Sequence, residues 1–350
     1  MKSNYEPLGK HIRLVDYRNS EEVTSTVLGI SIDKEFMPSV ANVIGTDLSR
    51  YKLISKGLFA CNPMHVGRDE RLPIALYEKD NAAIVSPAYF MFEIIDRDVL
   101  NEEYLMMWFR RPEFDRECWF MTDGSVRGGI SWDDLCRIQL PVPPYERQLD
   151  VVESYRAITR RIAMKKEMND NLEAVLAASH SKMFFSKDTS EHSKLGELMT
   201  FGNGKSRPKT DGPIPVYGGN GVLSYTDHHN IENAVLIGRV GAYCGSVYLE
   251  QGICWVSDNA IFAKSKITKD EFFDYFLLKR LNLFNHHVGT GQQLLTQEIL
   301  NNIEVPKPVT EQIELFNRKA TSIFETIFTN SREIIRLQEL SDLLLSRLAG

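Results

Sequence analysis

Residues 138–143 read Ile138-Gln139-Leu140-Pro141-Val142-Pro143, and residues 303–308 read Ile303-Glu304-Val305-Pro306-Lys307-Pro308. The spacing between them is 165 residues. Ser181-Lys182-Met183 repeats as Ser346-Arg347-Leu348 at the same spacing. Upstream, Leu8-Gly9-Lys10-His11-Ile12 is matched by Leu195-Gly196-Glu197-Leu198-Met199 at a spacing of 187. The chain is therefore two copies of one plan, and the first copy carries 22 more residues in its body, the difference between the two spacings. In each copy the proline stop is followed by a long stretch without proline, 145–207 and 309–350. Prolines sit well just ahead of a helix and badly inside one, so each copy ends in a long helix.

The bodies read differently. Short apolar runs such as Ala82-Ala83-Ile84-Val85 and Val235-Leu236-Ile237 are broken by Gly, Pro, Asn and Asp, a pattern of short strands and turns. Helices are expected at 101–111 and 270–281. The two long helices share a seam with 4-3 spacing. In the first it runs through Val151, Tyr155, Ile158, Ile162, Lys165, Asn169, Leu172, Leu176, Ser179 and Met183. In the second it runs through Phe316, Ala320, Ile323, Ile327, Asn330, Ile334, Leu337, Ser341, Leu344 and Leu348. Sustained 4-3 spacing is the signature of a coiled coil; two ordinary amphipathic helices, each on its own body, are the plainer alternative. Packed antiparallel with flush ends, facing positions add to 499. Val151 then meets Leu348, and Asn169 shares a layer with Asn330. A buried Asn pair lowers stability and fixes register, because a slip leaves both amides unpaired. Lys165 faces Ile334 and is expected to snorkel outward.

The expected class is α+β: two mixed α/β domains, two long antiparallel helices, and a pseudo-twofold internal repeat. The divisions are 1–144, a helix over 145–187, 188–308, and a helix over 309–350. A helix of about 38 residues is about 57 Å long. Two bodies at opposite ends of such a pair suit a pseudo-twofold target, and duplex DNA, with half-sites about 34 Å apart, is the obvious one. A coiled-coil scaffold whose bodies bind proteins is the competing class, and it predicts no sequence-dependent DNA binding.

Composition bounds these readings. The 350 residues carry 41 Lys+Arg against 47 Asp+Glu, a formal charge of −6. Binding to nucleic acid through overall charge alone is excluded, whereas a local basic groove is not. The longest apolar run is six residues, Tyr104 to Phe109, far short of a membrane span. Five cysteines without a CxxC support neither a disulfide framework nor a zinc ribbon, so a reduced, cytoplasmic protein is expected.

Catalytic signals fail one by one. Gly204-Lys205-Ser206 hints at a P-loop, but the required first glycine is Met199. Asn62-Pro63-Met64 lacks the second proline and aromatic of an adenine methyltransferase loop and reads as a turn. His228-His229 and His286-His287 are adjacent pairs without metal-ligand spacing, and no metal site is expected. A binder is favoured over an enzyme. Gly218-Gly219 and Gly221 can make tight turns or let backbone approach phosphates. Arg239 can be an ion-pair partner or a bidentate guanine reader, and Gln292-Gln293 can read adenine. Lys205, Arg207 and Lys209, like Arg50, Lys52 and Lys56, are either solvated charge or phosphate anchors. The first long helix, from Tyr145 to Phe185, has seven basic and six acidic residues, a face better suited to proteins than to DNA.

Three blocks in the second body, Pro213 to Gly221, Ile237 to Val247 and Cys254 to Ala260, resemble the target recognition domain of Type I restriction-modification specificity subunits. The first body is similar to another variant of that domain through Tyr51-Lys52-Leu53-Ile54, Gly57 to Pro63, Ile84 to Tyr89 and Gly124-Ser125-Val126-Arg127. Glu311-Gln312, and Glu146-Arg147-Gln148 with an inserted arginine, match the step into the family's spacer helix. The resemblance covers nearly the whole chain. It implies a subunit without chemistry of its own that binds a split DNA sequence, one half per domain. It implies docking of two methyltransferase subunits, joined in some systems by restriction subunits, with S-adenosylmethionine on the partners and no cofactor on this chain. The chain is short for the family, and a compact specificity subunit of Type II systems that cut on both sides of their site is the open alternative. The DNA-binding candidates are Arg50, Lys52, Arg68, Ser86, Tyr89, Ser125 and Arg127 in the first body. In the second they are Lys205, Arg207, Tyr217, Gly218, Gly219, Asn220, Arg239, Tyr243, Gln292 and Gln293.

Overall fold

The computed structural model describes residues 5–40, 45–64, 66–122, 128–185, 191–289 and 291–349. The chain divides into two compact units, Met1–Met164 with Glu333–Gly350, and Lys165–Arg332. Each long helix contributes to both: Tyr145–Phe184 and Thr310–Ser346.

Each unit closes its body with the same clasp. In the first, Tyr5–Pro7 pairs antiparallel with Gln139–Pro141, Glu6 opposite Leu140. In the second, His192–Lys194 pairs with Glu304–Pro306, Ser193 opposite Val305. The two ladders correspond residue for residue at the spacings of 187 and 165. The correspondence extends outward. Leu8 N–H donates to the Ile138 carbonyl at 2.8 Å, and Leu195 N–H to that of Ile303 at 2.9 Å. Ser131 caps the short helix Trp132–Arg137 as Thr296 caps Gln297–Asn302. The repeated Leu-Gly has a steric cause. A Cβ at Gly9 would lie 2.7 Å from Cys136 Cβ, and one at Gly196 would lie 2.6 Å from Asn301 Oδ1. Cys136 and Asn301 are themselves counterparts at 165.

Between the clasp strands the bodies differ. The first holds two four-stranded sheets. One runs Ile12–Leu14, Phe90–Ile94, Phe59–Cys61, Ile74–Leu76; the other runs Phe36–Pro38, Val27–Ile30, Ala83–Val85, Lys52–Ile54. Side chains alternate across a strand. Phe59, Cys61 and Phe92 join a core with Trp108, Phe109 and Phe114, while Ala60 and Met91 face a second core with Leu28, Ile54 and Val85. The second body is one six-stranded sheet, ordered Met199–Asn203, Ala260–Ser265, Ile231–Gly238, Val247–Val256, Ile214–Gly218, Gly221–Thr226. The expected helices occur as Glu102–Phe109 and Phe272–Arg280. A further helix, Pro112–Phe120, was not expected.

All ten positions of each seam are buried or half-buried, with Leu348 just past the end of Thr310–Ser346. In the second unit Asn330 Nδ2 donates to Asn169 Oδ1 at 2.8 Å, the layer that the antiparallel register requires. In the first unit Val151, Val152 and Tyr155 share a core with Leu344, Leu345 and Leu348. Lys165 departs from expectation. It does not turn outward; its Nζ donates to Asn330 Oδ1 at 2.8 Å, because that oxygen lies within reach of the stem. Each long helix also braces a body helix through an amide. Gln148 Oε1 accepts from Asn101 N–H at 2.9 Å, and Asn317 Oδ1 accepts from Phe273 N–H at 2.9 Å. Among the described residues no helix is long and apolar enough to cross a membrane.

Candidate nucleic-acid interface

In the second body the structure brings the candidate segments together around one turn, Ser257-Asp258-Asn259. Ser257 N–H donates to the Tyr217 carbonyl at 2.8 Å. Lys205 bridges to Ser257, its N–H bonded to the Val256 carbonyl at 2.9 Å. Arg239 N–H donates to the Asn259 carbonyl at 3.0 Å, and its Nη1 reaches the Asp258 carbonyl at 3.4 Å. On the far side, Gly241 N–H donates to the Gln293 carbonyl at 3.0 Å, and Leu295 N–H to that of Arg239 at 2.9 Å. Lys205, Tyr217, Arg239 and Gln293 therefore stand on segments tied to one another by backbone bonds.

The glycines make this crowding sterically allowed. A Cβ at Gly238 would fall 2.1 Å from the Tyr243 carbonyl oxygen, and one at Gly204 would fall 2.0 Å from that of Ser257. Gly204 thus serves backbone approach, which accounts for the glycine of the failed P-loop. Gly219-Asn220 turns the hairpin between Ile214–Gly218 and Gly221–Thr226, with Gly221 at φ +77°. Gly218 is buried, Gly219 half-buried and Asn220 exposed. Lys205, Arg207, Tyr243 and Gln292 are exposed; Arg239 and Gln293 are half-buried. Tyr217 donates its hydroxyl to Glu250 Oε2 at 3.0 Å, and burial, reinforced by that carboxylate, pushes the phenol up from its ordinary value. Arg239 Nε is shielded from solvent and has no partner, as is Ser257 Oγ. Chemically the platform offers a guanidinium, two amides, an ammonium and a phenol, the donor set that contacts phosphates and base edges. The turn at 257–259 was not among the candidates; its signal is three consecutive turn-forming residues.

In the first body Arg50, Lys52, Ser86 and Tyr89 gather at one edge. Arg50 is exposed, 3.2 Å from Asp47, and its carbonyl accepts from Arg18 Nη1 at 2.8 Å. Lys52 is buried. Its Nζ donates to the Tyr89 carbonyl at 2.6 Å, so it braces the Ser86–Tyr89 turn, and burial lowers its pKa. Of the two expectations for Lys52, solvated charge does not hold, because the side chain is buried. Ser86 Oγ accepts from Ala88 N–H at 3.2 Å. Arg68 lies apart on Val66–Asp69, exposed and paired with Asp69 at 2.7 Å. Ser125 and Arg127 lie outside the described residues. The turn at Asn62 is present, with Met64 N–H bonded to Asn62 Oδ1 at 3.2 Å. Among the described residues no group of three or more His, Cys, Asp or Glu is placed to hold a metal ion.

Residues 187–343 match the family model described as the Type I restriction modification DNA specificity domain. This segment belongs to the Type I specificity-domain family. It contains every second-body candidate and most of the second long helix, and it bears out the resemblance drawn from the sequence. The crystal structure of the Type-I restriction-modification system S subunit from M. genitalium aligns over 98% of this chain and 95% of that chain, with a TM-score of 0.62 and 14% identity. At that identity the likeness is one of fold, and it extends the specificity-subunit fold to the first half. A Type I structure described for complex assembly and conformational transition aligns over 99% and 97% at 17% identity, with a TM-score of 0.48. The HsdS subunit from Thermoanaerobacter tengcongensis aligns over 98% and 95% at 16% identity, with a TM-score of 0.38. A comparison with curated proteins finds no significant match.

Proposed function

We propose that this chain is the sequence-specific DNA-binding subunit of a restriction-modification complex. It recognises a bipartite duplex target and directs methyltransferase partners to it. The observation that carries this reading is the convergence of Lys205, Tyr217–Asn220, Arg239–Tyr243 and Gln292–Gln293 on one platform inside the specificity-domain segment. In this reading residues 1–144 and 188–308 each read one half-site, and the helices over 145–187 and 309–350 set the gap. The platform residues divide the work. Lys205 and Arg207 hold the backbone, while Arg239 and the Gln292-Gln293 pair address base edges. In the first body Arg50, Ser86, Tyr89, Ser125 and Arg127 take the corresponding roles, with Arg68 on the backbone. The chain performs no chemistry. S-adenosylmethionine belongs to two methyltransferase subunits, restriction subunits join in some systems of this kind, and the assembly works in the cytoplasm.

The test is to sequence the methylome of cells with and without this gene, in the presence of its partner methyltransferase. Loss of methylation at one motif of two short half-sites around a fixed gap is expected. An unchanged methylome overturns the proposal and leaves a protein-binding scaffold.

A further inference from the structure

In the second unit the long helices meet at a polar layer that has a direction. Lys165 Nζ donates to Asn330 Oδ1 at 2.8 Å, and Asn330 Nδ2 donates to Asn169 Oδ1 at 2.8 Å. Asn169 Nδ2 then turns to Ser331 Oγ at 3.3 Å and the Ile327 carbonyl at 3.4 Å. The order is ammonium, amide, amide, hydroxyl. The 165-residue repeat gives each member a counterpart on the other helix. Lys165 corresponds to Asn330, Lys166 to Ser331, and Asn169 to Ile334. Each helix therefore holds one half of the hydrogen-bonded chain, and neither holds both.

We infer that this layer makes the two long helices reject like-with-like pairing with a second copy of the chain. Two first helices in the same antiparallel register bring together Lys165 and Lys166 from both copies, four like charges in one stretch. Each Asn169 amide then meets the Lys166 ammonium where it now meets the Ser331 hydroxyl, a donor facing a donor. Two second helices place Asn330 opposite Ile334, and the amide loses both partners. The pairing of unlike helices carries neither fault. This selects which helix is accepted, whereas the Asn169–Asn330 bond alone selects the axial register.

The test supplies the missing half. Lys165→Asn with Lys166→Ser gives the first helix the counterparts of Asn330 and Ser331, so two first helices can complete the chain. Ile162→Cys and Leu172→Cys report on the full-length protein, since like-with-like pairing sets position 162 of one copy against 172 of the other. Thr310–Ser346 contains no cysteine, so exchange of unlike helices between copies does not crosslink. Cys136→Ser removes the half-buried native thiol, the other four being buried. With a short bismaleimide, the reporter protein is expected to stay monomeric, and the converted protein to give at least about tenfold more covalent dimer. A second conversion, Ile334→Asn with Ile327→Cys and Leu337→Cys, asks the same of the other helix. Circular dichroism checks that each variant folds. Crosslinking of the unconverted reporter, or no added dimer from either folded conversion, overturns the inference.

Discussion

Arg239 is held by little. Its Nη1 meets one carbonyl at 3.4 Å, and its Nε is shielded without a partner. An unpaired buried donor raises the energy of the resting state, so leaving that state for a ligand acceptor costs less. A guanidinium presents a fork that an ammonium cannot copy. Arg239→Lys is expected to weaken binding to the cognate duplex by about 1–3 kcal/mol, with the unfolding midpoint unchanged. Titration of labelled duplex against both proteins checks this. His180 acts on stability. It is buried among Phe184, Phe273, Phe276 and Phe316, with Nε2 unpaired. Burial, aided by the Arg280 charge, lowers its pKa to about 4. The unfolded imidazole gains its proton first, near its ordinary value of 6.5. Stability is therefore full above that value and falls as pH drops towards 4, by up to about 3 kcal/mol. His180→Leu is expected to flatten this slope in denaturant melts between pH 7 and 4. At this scale the sequence was least legible. Lys52 is spelled like a surface lysine, and its bond to the Tyr89 carbonyl depends on a turn 37 residues away.

At the scale of elements the long helices were legible because their signal is periodic and their starts are marked by proline. The seam and the Asn169–Asn330 layer follow from residue type alone. The fate of Lys165 does not, because it depends on which polar atom of the neighbouring helix lies within the length of its stem. Helix Pro112–Phe120 was hidden for another reason: it is only nine residues long, and Glu113, Asp115, Arg116 and Glu117 interrupt its apolar pattern. The candidate loops were recognisable as loops, but not as neighbours, since backbone bonds between 205, 217, 239, 257 and 293 leave no mark on composition. Two variants probe this scale. Asn330→Ala strips Asn169 and Lys165 of a partner and is expected to lower stability by about 1–3 kcal/mol, measured by chemical denaturation. Gly238→Ala drives a methyl group against the Tyr243 backbone. It is expected to destabilise the fold by about 1–3 kcal/mol, and to weaken duplex binding even at temperatures where the protein stays folded.

For the whole molecule, a chain of net charge −6 that binds DNA must do so through local cations. In the proposed assignments Lys205, Arg207, Arg50 and Arg68 supply them. If all four meet phosphates, the slope of log affinity against log salt is about −3 to −4, and replacing Lys205 with alanine should make it less steep by about one. Binding measured across a salt series settles both numbers, and a flat dependence sinks the phosphate assignments. The repeated plan was the most legible feature of all, since two spacings in the sequence reappear as two matched ladders.

Those ladders have a consequence for how the chain tolerates change. Each places the entrance and exit of a body side by side, so the body is a closed detour in the path of the chain. The 22 residues by which one detour exceeds the other leave no trace in the helix that follows. Lengthening a closed loop costs little, and the cost grows only logarithmically with its length. Residues between Ile12 and Ser131, or between Met199 and Thr296, can thus vary in number and kind while the seam of the long helices stays as it is.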